Sequence, residues 1–160
     1  RDAQESRGLG DVYKRQYFDM PVWSIKRPDY RHVSVACGEF ANYSFGCTTE
    51  YRKVFAILRE YLLDYWEHYD YMIDYLFLDY LIVLARKQND YVNQAFNEII
   101  PNNKNCDELL KVLGTTFDSS EWEKLKDNTE LFKLTWKAAF PIEQNGKETF
   151  YKKLMNNELV

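Results

Sequence analysis

Two carboxylates attract attention because they lie in the most apolar stretch of the chain. From Tyr75 to Ala85 every residue except Asp79 is apolar or aromatic, and Asp74 directly precedes this run. A buried carboxylate is costly unless a partner pairs with it, and burial raises its pKa, which suits a general base. Asp74 and Asp79 are therefore candidate catalytic residues. The alternative is that both are structural and accept hydrogen bonds from tyrosine hydroxyls or backbone amides.

The element expected to carry both carboxylates is a central helix from Tyr69 to Lys87. A helix that is apolar on all sides is typical of the middle of a domain, and this one is too short and too interrupted to span a bilayer. A five-residue separation places Asp74 and Asp79 about 140° apart around such a helix. They are therefore not expected to share one site. One carboxylate would face a cleft while the other ties the helix to a neighbouring segment.

Candidate ligand-binding residues also occur near the end of the chain, in the run KLTWK. A tryptophan beside a hydroxyl and two lysines can stack on a ring and hold a phosphate, which points to Thr135, Trp136 and Lys137. The alternative is a strand over Leu131–Trp136 whose tryptophan packs inward between solvated lysines. Asn42 is a further candidate, because it is an amide in the otherwise apolar segment FANYSF and such amides often fix a ligand hydroxyl.

Tyrosine is unusually abundant, with 13 in the chain and nine of them between Tyr43 and Tyr91. These tyrosines indicate either a core whose hydroxyls reach water or a cleft that stacks on sugar or nucleobase rings. The net charge of -4 and the absence of a basic stripe argue against a nucleic-acid surface. We therefore expect no nucleic acid among the partners.

Several chemical signatures are missing from the sequence. There is no glycine-rich phosphate loop and no Asp-x-Asp pair, and three cysteines with two histidines cannot form a zinc-ligand pattern. We therefore expect no metal ligands in this chain. The odd number of cysteines and the lack of a signal peptide or lipidation motif predict a reducing, cytoplasmic location.

The chain divides into a short foreign-looking start and one predicted domain. Arg1–Gln16 closely resembles a translated sequencing-adapter sequence, so we expect it to be non-native and disordered, with the true upstream part of the protein missing. Residues 17–160 are expected to form part of a single domain. Alternating or β-rich runs predict strands, and apolar periodicity with capping residues predicts helices. The strands are predicted at Tyr17–Ile25, His32–Cys37, Phe40–Phe45 and Leu131–Trp136, and the helices at Glu50–Glu67, Tyr69–Lys87, Asp90–Ile100, Asp107–Leu113, Glu121–Asp127 and Lys147–Met155.

Four runs occur in a characteristic order: NYSFGCTTEYRKVFAILREYLLDYWEHYDYMIDYLFLDYLI, IIPNNKNCDELLKVLG, FDSSEWEKLKDNTELFKLTWK and GKETFYKKL. Together they resemble the capsular polysaccharide synthesis protein family, bacterial glycosyltransferases similar to glycosyltransferase family 32. The resemblance covers the chain from about Tyr17 to Leu154. It implies an α/β fold, namely the helix-rich C-terminal part of a GT-A-type glycosyltransferase with a few strands of an incomplete sheet.

The resemblance also implies a function and a set of roles. The partners would be a nucleotide-sugar donor and a saccharide acceptor, and a divalent cation (Mn or Mg) would be held by an Asp-x-Asp pair in the missing N-terminal half. Asn42 would line the donor-sugar pocket, Asp74 or else Asp79 would contact an acceptor hydroxyl, and the 135–137 loop would close on the diphosphate. This fragment alone is expected to be inactive. The competing interpretation is a non-catalytic, tyrosine-rich helical interaction module.

Overall fold

The computed structural model describes residues 20–30 and 35–159. The chain divides into two compact units, the first ending at Pro101 and the second beginning at Asn102. The predicted non-native segment Arg1–Gln16 lies outside the described residues. In both units helices are combined with one small antiparallel sheet, which agrees with a helix-rich mixed α/β fold.

The sheet of the first unit pairs β1 (Val22–Ser24) with β2 (Phe45–Cys47) in antiparallel register, with Trp23 opposite Gly46. Glycine is required there because a Cβ at Gly46 would lie 2.5 Å from the Trp23 indole nitrogen. The predicted strand Phe40–Phe45 is wrong, because β2 starts only at Phe45. It then continues through Gly46, which was expected to end the strand.

Ser24 explains why the segment before β2 turns instead of extending. Its buried hydroxyl accepts a hydrogen bond from the Ala41 amide at 2.8 Å and lies within hydrogen-bond distance of the carbonyl oxygens of Ala41 and Ser44. These contacts hold residues 41–44 as a turn, and Asn42 lies in that turn. The predicted strand His32–Cys37 is also wrong where it is described, because residues 35–38 form a turn.

Three helices complete the first unit. A 3₁₀ turn at Thr49–Tyr51 leads into α1 (Arg52–His68), followed by α2 (Phe77–Gln88) and α3 (Asp90–Asn97), which Asn89 caps through its side chain. Apolar side chains of these helices and of the flanking segments form one core. The largest of them are Val22, Phe40, Val54, Leu58, Phe77, Leu81, Ile82, Val92, Phe96 and Ile99.

The predicted central helix Tyr69–Lys87 is wrong in its first half. Residues 69–76 are irregular, and α2 starts only at Phe77. Asp74 is the physical reason, because its carboxylate accepts a hydrogen bond from the Leu76 amide at 2.7 Å while its carbonyl accepts one from the Phe77 amide. A side-chain-to-backbone bond of this kind competes with helix and starts a new one. Nor is α2 buried on all sides, since Tyr80 is half exposed.

The second unit contains three short helices and a hairpin. The elements are α4 (Glu108–Val112), α5 (Ser119–Lys126), the antiparallel pair β3 (Glu143–Gln144) and β4 (Lys147–Glu148), and α6 (Phe150–Met155). The hairpin turns at Asn145–Gly146, both with positive φ, as Asn-Gly turns prefer. This turn shortens the predicted helix Lys147–Met155. The core contains Leu109, Leu113, Leu125, Phe150 and Leu159.

The predicted strand Leu131–Trp136 is wrong, since these residues form no strand. Side chains and backbone of the preceding loop hold this segment instead. The Asn103 side-chain oxygen accepts hydrogen bonds from the amides of Glu130 and Leu131, and the Lys133 amide donates to the Cys106 carbonyl. No helix among residues 20–30 and 35–159 is long and apolar enough to cross a bilayer.

Candidate functional site

The first feature of interest is a hydrogen-bonded pair formed by the partly buried Asn42 and the buried Asp79. The Asn42 side-chain amide donates a hydrogen bond of 2.9 Å to Asp79 Oδ2, and Asp79 is only 5% exposed. Burial raises the pKa of the Asp79 carboxyl above its ordinary value. The two residues were singled out from sequence for separate reasons, and the structure brings them together. The contact ties α2 to the 41–44 turn.

Asp79→Asn should change how stability depends on pH. Because the folded-state pKa of Asp79 is raised above its ordinary value of 3.8, the folded protein binds more protons than the unfolded chain between the two pKa values. The free energy of unfolding of the wild type therefore falls as pH rises through that window. The asparagine variant keeps an oxygen for Asn42 and should lack this fall. Urea denaturation at a series of acidic pH values gives the free energy of unfolding of both proteins. If that free energy falls with rising pH as steeply in the variant as in the wild type, the prediction is refuted.

Asp74 lies elsewhere, on the irregular segment 69–76, and is exposed. It is therefore not buried on a helix as predicted, and it does not meet Asp79. One carboxylate oxygen accepts from the Leu76 amide at the start of α2. The residue is thus fixed by its backbone contact and open to solvent, which leaves a carboxylate available to a ligand.

A groove opens between α1, α2 and the 69–76 segment, and we call it the aromatic groove. Its volume is about 650 Å³. Buried Phe77 and Leu81 lie at its base, and half-exposed Tyr69 and Tyr80 stand at its sides. The complete lining is Tyr61, Asp64, Tyr65, His68, Tyr69, Ile73, Phe77, Tyr80, Leu81 and Leu84. Clustered tyrosines therefore form a surface cleft as well as contributing to the core.

Two ionisable side chains, Asp64 and His68, line the aromatic groove beside the tyrosines. His68 Nδ1 lies 2.7 Å from the Asp64 carbonyl oxygen and 4.0 Å from its carboxylate. This hydrogen bond, followed by the Asp64 charge, raises the pKa of His68. Sequence reasoning missed both residues. Their i, i+4 spacing, which places two side chains on one helix face, was the available signal.

The remaining predicted site residues lie in the second unit. The Lys137 amide donates to Thr135 Oγ1 at 3.2 Å, and the Lys137 ammonium lies 5.9 Å from the centre of the Trp136 ring. Trp136 is 89% exposed, so it does not pack inward as the alternative interpretation required. The arrangement presents an aromatic face and a cation together.

Metal-ligand geometry is missing from the described part of the chain. Within residues 20–30 and 35–159 no group of three or more histidine, cysteine or carboxylate side chains could hold an ion. The described residues therefore do not fit the divalent cation that the resemblance implies. Cys37 and Cys47 are free thiols.

A family model described as capsular polysaccharide synthesis protein matches residues 10–154, so it spans the groove, the Asn42–Asp79 pair and the 135–137 segment. The match begins inside the segment predicted to be non-native. No curated protein and no solved structure matches the chain.

Proposed function

Because this chain belongs to the capsular polysaccharide synthesis protein family, we propose that it is part of a glycosyltransferase. The reaction transfers a sugar from a nucleotide-sugar donor to a saccharide acceptor during capsule synthesis, on a GT-A-type fold. The family match over residues 10–154 is the observation that carries this proposal. The free thiols of Cys37 and Cys47 support a cytoplasmic reaction.

The proposal assigns acceptor contact to Asp74. This carboxylate is exposed, and its backbone contact with Leu76 fixes its position. A carboxylate held in this way can accept a hydrogen bond from a sugar hydroxyl and take its proton as that hydroxyl attacks the donor. Asp79, being buried against Asn42, holds the start of α2 against the 41–44 turn and so positions the neighbouring groups.

The donor side of the proposal rests on Thr135, Trp136 and Lys137. An exposed indole next to an ammonium group can stack on a ring while the cation faces a diphosphate. The chain has no Asp-x-Asp pair, so this chain is assigned sugar-handling and leaving-group contacts and not metal ligands. A divalent cation on the donor diphosphate would need ligands from outside the described residues.

Transfer itself is the test of this function. The protein that contains this chain is incubated with a panel of nucleotide sugars and with oligosaccharides from the capsule, and release of nucleotide and extension of the acceptor are measured. Disruption of the gene should abolish capsule, and a plasmid copy should restore it. Capsule that is unchanged after disruption, together with no transfer from any donor, would contradict the proposal.

A non-catalytic interaction module is the second candidate, and the exposed aromatic surface favours it. Met72, Ile73 and Tyr75 are all more than half exposed on the 69–76 segment, and contiguous exposed apolar groups mark interaction sites. Under this function, capsule synthesis would require the chain but not the Asp74 carboxylate. A stable protein complex that survives Asp74→Asn, with normal capsule, would favour it over catalysis.

A further inference from the structure

We propose that the aromatic groove binds the saccharide acceptor by ring stacking and that it favours neutral or amino sugars over acidic ones. The inference rests on the proposed function, because it names the class of acceptor for that reaction. It adds a binding surface and a selectivity that the family match does not provide.

The walls of the aromatic groove suit a sugar ring. A pyranose has apolar C–H faces and a polar edge, so it is accommodated best by aromatic faces whose rims carry hydrogen-bonding groups. Tyr80 is half exposed, and no aromatic ring in the described part of the chain pairs with it. Its face is therefore open for stacking. Phe77 and Leu81 give the groove an apolar base.

The rim of the groove supplies hydrogen-bonding groups. The hydroxyls of Tyr61, Tyr69 and Tyr80 have no hydrogen-bond partner among the described residues, whereas the Tyr65 hydroxyl donates to the Tyr71 carbonyl at 2.7 Å. The Asp64 carboxylate is exposed beside them. Such groups can each bond a sugar hydroxyl, and a purely apolar ligand would leave them without a partner.

The charge around the groove limits which classes of ligand can bind in it. Between Arg59 and Asp74 the chain carries five carboxylates, and the basic groups are Arg59, which pairs with Glu60, and His68. The carboxylates are Glu60, Asp64, Glu67, Asp70 and Asp74, and all are exposed. Asp64 lines the groove, and the other four carboxylates lie on the elements that flank it, so the excess of negative charge repels acidic sugars and an anionic lipid surface. It also opposes a second copy of the chain, which would place like charges against each other.

The size of the groove favours a saccharide over a protein. Its volume of about 650 Å³ lies within the range of roughly 300–1,000 Å³ that is typical of small-ligand sites. A stable protein partner needs about 800 Å² of contact on each side, much of it flat. An oligosaccharide of a few rings matches the volume, the exposed ring faces and the charge together.

Binding without any donor tests the inference. The purified protein is applied to an array of neutral, amino and uronic-acid oligosaccharides, and the best ligands are measured by calorimetry. Tyr80→Ala should weaken binding about tenfold or more, which corresponds to ~1.4 kcal/mol. Tyr75→Ala is the matched control, because Tyr75 is 95% exposed on the 69–76 segment but does not line the groove. The control should bind as the wild type does.

Each outcome decides the question. Neutral or amino sugars bound by the wild type and by Tyr75→Ala, but not by Tyr80→Ala, support the inference. Absence of binding across the array overturns it, as does tighter binding of uronic acids. Tyr80-dependent dimerisation in sedimentation, or Tyr80-dependent binding to anionic vesicles, would assign the groove to another occupant. The binding assay contains no donor, so binding and transfer are measured separately. If saccharides do not bind but transfer occurs, the groove assignment is refuted and the proposed function is not. If saccharides bind but no transfer occurs, the proposed function is refuted and the groove assignment is not.

Discussion

Asp74→Asn should abolish most transfer while leaving the fold unchanged. The asparagine side chain keeps an oxygen that can accept from the Leu76 amide, so the start of α2 retains its cap. The substitution removes only the negative charge and the ability to take a proton. General-base catalysis contributes about 10²- to 10⁴-fold, so kcat/KM for transfer should fall by about 100-fold or more.

Asp70→Asn is the control for that experiment. Asp70 is an exposed aspartate on the same 69–76 segment, and its replacement removes the same charge from that segment. If transfer falls equally in both variants, the effect arises from general electrostatics and Asp74 has no specific role. Thermal melting of both proteins shows whether the fold is retained. Transfer that is unchanged in Asp74→Asn would remove the residue from the mechanism.

The two aspartates show what an apolar pattern can and cannot predict. Burial of Asp79 follows from the pattern, because nearly every neighbour is apolar and its helix packs on a core. The same pattern wrongly predicts that Asp74 is buried, because the Asp74 carboxylate accepts a hydrogen bond from the backbone and separates residues 69–76 from α2. A helical wheel assumes that the helix is continuous. Local capping by a single side chain breaks that assumption, and nothing in hydrophobic periodicity reports it.

The contact between Asn42 and Asp79 lay beyond sequence reasoning for a different reason. The residues are 37 positions apart, and their contact depends on the turn that Ser24 fixes at residues 41–44. A strand through Phe40–Phe45 would have been consistent with residue preferences alone. The buried Ser24 hydroxyl instead holds residues 41–44 as a turn. Long-range contacts of this kind require the tertiary structure.

The groove was partly foreseeable. Clustered tyrosines predicted either a core or a ring-stacking cleft, and the structure contains both: Tyr51 and Tyr91 pack against the core of the first unit, while Tyr80 lines the groove. Composition cannot divide one cluster between these two environments. Which tyrosines pack in the core and which line the groove depends on where α1 ends and how residues 69–76 lead into α2. The same irregular segment explains why Asp74 is exposed and not buried as predicted.

Asn103→Ala should be the most destabilising single change among the polar residues of the second unit. Asn103 is buried and has a φ of 49°, a left-handed conformation that asparagine tolerates better than alanine. Its side-chain oxygen accepts from the Glu130 and Leu131 amides at 2.8 and 2.7 Å. Each donor left unsatisfied costs about 1–3 kcal/mol, so the total loss should be on the order of 3 kcal/mol with the backbone term included.

Asn145→Ala separates the two causes of that loss. Asn145 also has a positive φ, 53°, but it is exposed in the hairpin turn, so its replacement should cost only the backbone term of about 1 kcal/mol. Urea denaturation gives the stabilities, and hydrogen exchange at the Leu131 amide should accelerate in Asn103→Ala alone. Because Asn103 anchors the segment that leads to Thr135–Lys137, the same variant should weaken donor binding if those residues contact the diphosphate. Equal losses in the two variants, with exchange at Leu131 unchanged, would show that the Asn103 side chain does not hold this segment.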